Sequence, residues 1–199
     1  MYKIKNNLIN LKRISKKHDF YLNPNGIYLN RNERIIQFSN QILKKIRNSI
    51  TSESLSLYPD FNLFYKKISN WLNVKESEIF LNEGVSGLVK TIFETFCDQG
   101  KSNVIIPFPT FAMYEIFAKI YKVKIKKLNY DKNFKINLDD MFRVADKNTS
   151  LIILPNPNVP IEGFVDLIKI KKILNFCKKN KIMLVIDEVY YPFSKSTSI

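Results

Sequence analysis

The amino-acid sequence predicts an α/β fold in which a mostly parallel sheet carries helices on both faces. Short, continuous apolar runs recur along the chain, amphipathic helical patterns separate them, and the two kinds of segment alternate from residue 79 onward. Strands buried on both faces have such uninterrupted runs, and parallel strands need a crossover, which is usually a helix. The alternation therefore favours a layered domain with right-handed crossovers.

Four apolar runs are the predicted interior strands: Ile79–Leu81, Val104–Ile106, Leu151–Leu154 and Ile182–Ile186. A fifth segment, residues 123–126, alternates between apolar and lysine side chains, which is typical of an edge strand.

Helices are predicted where apolar residues recur at i, i+3, i+4 and i+7. Three such stripes lie between the strands: Val89, Ile92, Phe93 and Phe96; Tyr114, Phe117, Ala118 and Tyr121; Ile170, Ile173, Leu174 and Cys177. Asp166 stands at the N-cap position of the last helix. Residues 37–50 and 61–72 are two earlier amphipathic helices. We interpret residues 1–36 as an N-terminal arm or small-domain segment, and residues 37–199 as an incomplete large domain.

The composition is that of a globular protein, with 45% hydrophobic residues and a formal net charge of +14. Such a charge suggests a nucleic-acid partner, but it comes from 27 lysines and only five arginines. Arginine is the better bidentate ligand of phosphates and bases. We therefore attribute most of the charge to compositional bias and expect no nucleic-acid partner, while basic nucleic-acid binding stays open as an alternative.

Metal, secretory and membrane signals are weak in this sequence. His18 is the only histidine, and Cys97 and Cys177 lack the paired spacing of a zinc site or a disulfide framework. The basic N-terminus has no continuous apolar segment of a secretory signal, and no apolar run is long enough to span a bilayer. We expect a cytoplasmic protein without a metal site or a membrane partner.

Ligands of open parallel sheets bind at the carboxyl ends of the strands. Four polar or constrained segments follow the predicted strands there: Asn82–Gly87, Pro107–Phe111, Pro155–Pro160 and Asp187–Tyr191. The first opens a helix, so it is either a phosphate cradle or a plain turn. Phe111 either stacks on a flat ligand or belongs to the core. An acid such as Asp187 at the end of a buried strand needs a cation or a donor.

Two segments resemble nucleotide-binding motifs. The apolar run before Asp187 is similar to a Walker B strand, and Gly100-Lys101-Ser102 is similar to the end of a P-loop. A P-loop has a glycine five residues before its Gly-Lys, where this chain has Thr95, and it follows a strand and opens a helix. Gly100 instead follows a predicted helix, which argues against a nucleotide triphosphatase.

Six segments, in order and with suitable spacing, carry a family resemblance: Leu29–Glu33, Leu57–Asp60, Gly84–Ser86, Pro107–Tyr114, Asn156–Pro160 and Asp187–Tyr190. They resemble class I/II aminotransferases with pyridoxal phosphate, of fold type I, and most of all the histidinol-phosphate aminotransferase group. The resemblance extends from about residue 27 to residue 193.

The resemblance implies a role for each matching residue in holding pyridoxal 5′-phosphate. Asp187 matches the partner of the pyridine nitrogen, Tyr190 a donor to the phenolic oxygen, and Phe111 the aromatic that stacks on the ring. The N–H groups of Val85 and Ser86 match the phosphate site. Tyr58 matches a tyrosine that reaches the phosphate across a dimer interface, so a homodimer is expected of the complete protein.

Two departures concern the cofactor contacts. Where the family has Asn-Pro-Thr-Gly, this chain has Val159 and Pro160, so Asn158 either contacts the ring oxygen after a small shift of the loop or the contact is missing. Gly87 also stands where the nearest relatives usually have glutamate.

The resemblance places the lysine that forms the Schiff base beyond residue 199, and the offset of Lys195 from Asp187 is too short for that role. We therefore expect the N-terminal half of an aminotransferase, truncated before its catalytic lysine and lacking the last two strands of the family's sheet. The implied reaction transfers an amino group from an amino donor to a keto or phosphorylated substrate in biosynthesis. A catalytically inactive remnant or partner subunit, which at most binds the cofactor, is the alternative.

Overall fold

The computed structural model describes residues 5–9, 11, 26, 27, 34, 36–161 and 163–194. The chain divides into two compact units, one of residues 1–13 with 82–199 and the other of residues 14–81. The domain boundary between residues 36 and 37 stays a prediction. The predictions that involve residues 29–33 and Lys195 lie outside the described residues.

The helices described in the 14–81 unit are α1 (Asn40–Ser49), α2 (Ser52–Ser56) and α3 (Asn62–Leu72). The two helices predicted in this region are confirmed, and α1 begins later than expected because the Ser39 hydroxyl accepts a hydrogen bond from the N–H of Ile42. The short α2 has no counterpart among the predicted elements. It begins with a reciprocal capping box between Thr51 and Ser54.

The strand predicted at Ile79–Leu81 is wrong. Ile79 has an extended backbone, with φ −111° and ψ 134°, but no described residue pairs with this segment as a neighbouring strand. Two of its N–H groups have other partners: that of Ile79 donates to the carbonyl of Glu76, and that of Leu81 to the hydroxyl of Tyr65. An apolar run becomes a strand only where a neighbour can pair with its backbone.

The larger unit contains a four-stranded sheet. Its strands are β1 (Asn103–Phe108), β2 (Lys124–Asn129), β3 (Thr149–Pro155) and β4 (Met183–Asp187). They lie in the order β2-β1-β3-β4, and all neighbours are parallel. The other four predicted strands are thereby confirmed, and the lysine-rich strand β2 lies at an edge, as its alternating pattern predicts.

Helices cover both faces of this sheet, as expected of an α/β fold. They are α4 (Gly84–Phe96), α5 (Met113–Ile120), α6 (Leu138–Val144) and α7 (Leu167–Asn180). The apolar residues of α4 and α5 form one core cluster with Val104 and Ile106 of β1, whereas those of α6 and α7 form a second cluster with Ile105. Asp166 caps α7 as predicted, because its carboxylate accepts the N–H of Lys169.

A polar network fastens the strands near their amino ends. The ammonium of Lys126 and the amide of Asn103 both donate to the carboxylate of Asp146, at 2.6 and 2.8 Å, and the Thr149 hydroxyl donates to the Asn103 side chain at 2.7 Å. The hydrogen bond from Lys126, followed by that from Asn103, holds the pKa of Asp146 well below its ordinary value. The network joins β1, β2 and β3 away from the strand ends that are predicted to bind a ligand.

Within the described part of the chain, no helix has both the length and the apolar character needed to cross a membrane.

Candidate functional site

The carboxyl ends of the strands meet at one edge of the sheet because all four strands run in the same direction. Two hydrogen bonds join the segments at these ends. The Thr110 hydroxyl, after β1, donates to the side-chain oxygen of Asn158, after β3, at 2.8 Å. The N–H of Asn156 donates to the carbonyl of Asp187, at the end of β4, at 2.8 Å. The segments at three of the predicted strand ends are therefore neighbours.

Asp187 is the last residue of β4, and each of its carboxylate oxygens accepts a hydrogen bond. The hydroxyl of Tyr114 donates to Oδ2 at 2.5 Å, and the N–H of Val189 donates to Oδ1 at 3.1 Å. Because a carboxylate oxygen can accept more than one hydrogen bond, both oxygens can still accept from a ligand. The protein thus orients this carboxylate without saturating it.

Tyr114 projects from the first turn of α5 and is fully buried. Burial, and then the negative charge of Asp187, raise the pKa of its phenol, so the hydroxyl remains a donor at neutral pH. Its ring meets that of Phe111 edge to face, with the ring centroids 5.9 Å apart. Phe111 itself is 38% exposed, so its ring is accessible to a ligand.

The N-terminus of α4 is an open helix end. Gly84 has φ +67°, a left-handed conformation that other residues rarely adopt, and no side chain of the described residues caps the helix. The first N–H groups of a helix have no partner within it, and the helix dipole adds positive charge there. Val85 and Ser86, which lie in this first turn, are both partly buried. This end is suited to an anion, as the sequence predicts.

Gly87, the departure in this same turn, has a local explanation. A Cβ atom at this position would lie 2.9 Å from the side-chain oxygen of Asn82. The Asn82 side chain is held there, because its oxygen accepts the N–H of Glu83 and its amide donates to the hydroxyl of Thr91. A glutamate at position 87 would displace this side chain.

A cavity of about 300 Å³ links the helix end to the strand end. Val85 lines it from α4, Asp187 from β4 and Tyr114 from α5, and most of its other lining residues are apolar. A carboxylate and a helix N-terminus, the two electrostatic features of the site, therefore border one concave space.

Asn158 is 1% exposed, and its side-chain amide is engaged within the protein. Nδ2 donates to the carbonyl of Pro109 at 2.9 Å and to the hydroxyl of Tyr130 at 2.7 Å, while Oδ1 accepts from Thr110. Burial raises the pKa of Tyr130. A hydrogen bond from Asn158 to a ring oxygen would require one of these bonds to break. The contact between Asn158 and the cofactor therefore stays a prediction.

The two remaining predicted site residues lie in different units. Tyr190 follows β4 and is partly buried, with its ring 6.4 Å from that of Phe193. Tyr58 belongs to the 14–81 unit, and its side chain is fully exposed. Their contacts with a cofactor stay predictions.

Two tyrosines of the site are absent from the sequence-based prediction. Tyr114 fits the apolar stripe of its helix, but a buried phenol needs a hydrogen-bond partner and an acid at a strand end needs a donor. Tyr130 directly follows β2, at the same sheet edge as the other site residues. The rule that identifies residues at the ends of the interior strands would identify Tyr130 as well.

Gly100, Lys101 and Ser102 lie in the turn between α4 and β1 and do not open a helix. This turn therefore lacks the structural context of a P-loop, in agreement with the sequence.

The parallel sheet, the acid at its strand end and the open helix terminus define an α/β protein with the fold-type-I aminotransferase architecture. The chain matches the family of class I and II aminotransferases over residues 25–198 and belongs to that family. The resemblance carried by the six sequence segments is thereby confirmed.

Curated relatives in this family include the histidinol-phosphate aminotransferases of Methanocaldococcus jannaschii and Flavobacterium psychrophilum. The first is 33% identical over 85% of this chain and 45% of its own length, and the second is 28% identical over 98% of this chain and 52% of its own length. The chain thus spans about half the length of the curated relatives that it matches.

Solved structures agree with the fold. The histidinol-phosphate aminotransferase of Clostridium acetobutylicum has a TM-score of 0.64 and 29% identity, covering 80% of this chain and 46% of the other. Cystalysin from Treponema denticola, whose crystal structure contains a pyridoxal 5′-phosphate cofactor, has a TM-score of 0.64 and 19% identity over 76% of this chain and 40% of its own. The partial coverage of both neighbours fits a chain that corresponds to part of the family fold.

Proposed function

We propose that this chain is the cofactor-binding half of a histidinol-phosphate-type aminotransferase and that it binds pyridoxal 5′-phosphate at the carboxyl edge of its sheet. The observation that carries the proposal is the Asp187 carboxylate. Tyr114 and Val189 each donate to one of its oxygens, and it lines a cavity shared with the N-terminus of α4.

The chemistry of this edge fits the three parts of the cofactor. Its phosphate is an anion, which the first N–H groups of α4, at Val85 and Ser86, and the helix dipole favour. Its flat ring matches the accessible aromatic side chain of Phe111. Its basic ring nitrogen matches the carboxylate of Asp187. Segments at α4, β1 and β4 therefore each contribute one part of the proposed site.

When bound, pyridoxal phosphate supplies an electron sink for transfer of the amino group. The negative charge of Asp187 holds a proton at the ring nitrogen, and the donors on its two oxygens keep the carboxylate from turning away. The N–H groups of Val85 and Ser86 anchor the phosphate, and Phe111 shields the ring from water. Tyr190, three residues after Asp187, would donate to the phenolic oxygen.

The complete reaction needs groups outside this chain. The lysine that the family resemblance implies, and most residues that select the substrate, belong to the other half of such an enzyme. An amino acid and a keto or phosphorylated compound are the proposed substrates, histidinol phosphate among them by the names of the relatives. A cytoplasmic homodimer, with Tyr58 reaching the phosphate of a second subunit, belongs to the same proposal.

Cofactor titration tests the proposed site. Asp187→Asn keeps the shape of the side chain but removes the charge that stabilises a protonated ring nitrogen, so we expect cofactor affinity to fall by about tenfold or more. Asp139→Asn removes an exposed carboxylate from α6 and is the matched control. Absorbance and fluorescence titrations with pyridoxal 5′-phosphate measure both affinities. Equal affinities in the wild type and Asp187→Asn would refute the proposed role of Asp187.

The alternative is a catalytically inactive remnant or partner subunit that at most binds the cofactor. An amino-transfer assay of this chain with pyridoxal phosphate, an amino donor and a keto acid is expected to show no turnover. Turnover by this chain alone would contradict the prediction that the catalytic lysine lies outside it.

A further inference from the structure

Tyr114 connects two residues of the proposed site that lie far apart in the sequence. Its hydroxyl donates to Oδ2 of Asp187 at 2.5 Å, and the two residues are separated by 73 positions. Its ring also meets Phe111 at an interplanar angle of 88°. A single side chain of α5 therefore contacts both the acid proposed for the ring nitrogen and the aromatic proposed for the ring.

The surroundings of Tyr114 make it a rigid support. The residue is 0% exposed and belongs to the core cluster that includes Val104 and Leu151 of the sheet. Close packing in a core leaves a side chain little freedom to change rotamer. The hydroxyl is therefore held at one position relative to β4.

Asp187 needs such a support because its carboxylate is otherwise held weakly. Within the described residues, its other hydrogen bond comes from the N–H of Val189, in its own loop, at 3.1 Å. A hydrogen bond from a neutral donor to a carboxylate is stronger than one between neutral groups, and a bond of 2.5 Å is at the short end for two oxygens. Tyr114 thus provides the firmer of the two restraints.

We propose that Tyr114 is a positioning residue for the cofactor: its hydroxyl sets the orientation of the Asp187 carboxylate toward the ring nitrogen, and its ring sets that of Phe111. This inference rests on the proposed function. It assigns to Tyr114 no contact with the cofactor itself. The raised pKa of its phenol agrees with this role, because a protonated phenol donates to the carboxylate throughout the neutral range.

Tyr114→Phe is the decisive variant because it keeps the buried ring and removes only the donor. Tyr121→Phe, in the same core cluster, is the matched control because it also removes one hydroxyl from a buried tyrosine. Thermal melts of both variants measure the loss of stability that comes with deleting such a hydroxyl. Any effect found in Tyr114→Phe alone then belongs to its contact with Asp187.

The first measurement needs no cofactor. In ¹H–¹⁵N spectra of the chain without cofactor, we expect the amide signal of Val189 to shift in Tyr114→Phe, because the carboxylate that accepts this N–H loses its other restraint. The signal is expected to be unchanged in Tyr121→Phe. An unshifted Val189 signal in Tyr114→Phe would show that the hydroxyl does not orient the carboxylate, and would overturn the inference.

The second measurement uses pyridoxal 5′-phosphate labelled with ¹⁵N in its ring. In Tyr114→Phe we expect about tenfold weaker binding and a ring-nitrogen signal shifted toward the unprotonated form, with Asp187→Asn as the reference for full loss of the carboxylate. Binding and signal like those of the wild type would overturn the inference on Tyr114 alone. No binding by the wild type would overturn the proposed function, and the inference with it.

Discussion

Single amides hold the loop after β3 in place. Asn156 is 1% exposed, and its side chain bonds both backbone groups of Val165: Oδ1 accepts the N–H at 2.8 Å, and Nδ2 donates to the carbonyl at 3.3 Å. The side-chain amide of Asn158 is also engaged: its oxygen accepts from the Thr110 hydroxyl, and its nitrogen donates to the Pro109 carbonyl and the Tyr130 hydroxyl. The two asparagines thus use their side-chain amides to connect the loop to neighbouring segments.

Asn156→Ala leaves the N–H and carbonyl of Val165 without their side-chain partner in a buried place. We expect the free energy of unfolding to fall by about 1–3 kcal/mol, the usual cost of such unpaired groups. Asn129→Ala, at an exposed position of β2, is the control and is expected to change little. Urea unfolding followed by circular dichroism measures both. A loss for Asn156→Ala no larger than that of the control would contradict the role given to its amide.

Helix α4 shows how far an apolar pattern determines an element. The stripe of Val89, Ile92, Phe93 and Phe96 predicts one buried face, yet Phe93 is 0% exposed and Phe96 is 45% exposed. Phe96 ends the helix, where the chain turns toward β1. The spacing therefore predicts the helix and its orientation, but burial at the helix end depends on where the next element begins.

Replacing Phe93 and Phe96 by alanine, one at a time, tests whether their different burial gives different contributions to stability. Phe93→Ala opens a cavity in the core cluster of α4 and α5, so we expect a loss of about 3–5 kcal/mol in the free energy of unfolding. Phe96→Ala removes a half-exposed ring and is expected to cost clearly less. Chemical denaturation of the two variants makes the comparison. Equal losses would mean that the burial described for α4 is wrong.

At the scale of the whole molecule, the charge and the length carry different information. The net charge of +14 comes mostly from lysines. Among the described ones, Lys126 and Lys127 pair with the carboxylates of Asp146 and Glu115. The length is informative about the family fold, because the chain spans about half the length of its curated relatives. The proposed function depends on the residues at the strand ends and not on the charge.

A positive protein still associates with polyanions. We expect binding of a DNA duplex to be independent of its sequence and to fall steeply between about 50 and 200 mM salt, as expected for counterion release. Fluorescence anisotropy with two unrelated duplexes measures it. Tight binding that persists at the higher salt concentration and prefers one duplex would instead support the nucleic-acid alternative.

The sequence by itself determined the alternation of strands and helices, the edge position of β2, the cap at Asp166 and the chemistry of the strand ends. These features are local, or follow from the direction of parallel strands, so they can be derived from residue patterns. Tertiary structure decided the rest. Ile79–Leu81 is not a strand because no described residue pairs with its backbone, and Tyr114 meets Asp187 only because folding brings α5 beside β4. Strand pairing and buried hydrogen bonds both depend on distant segments, which no local pattern specifies.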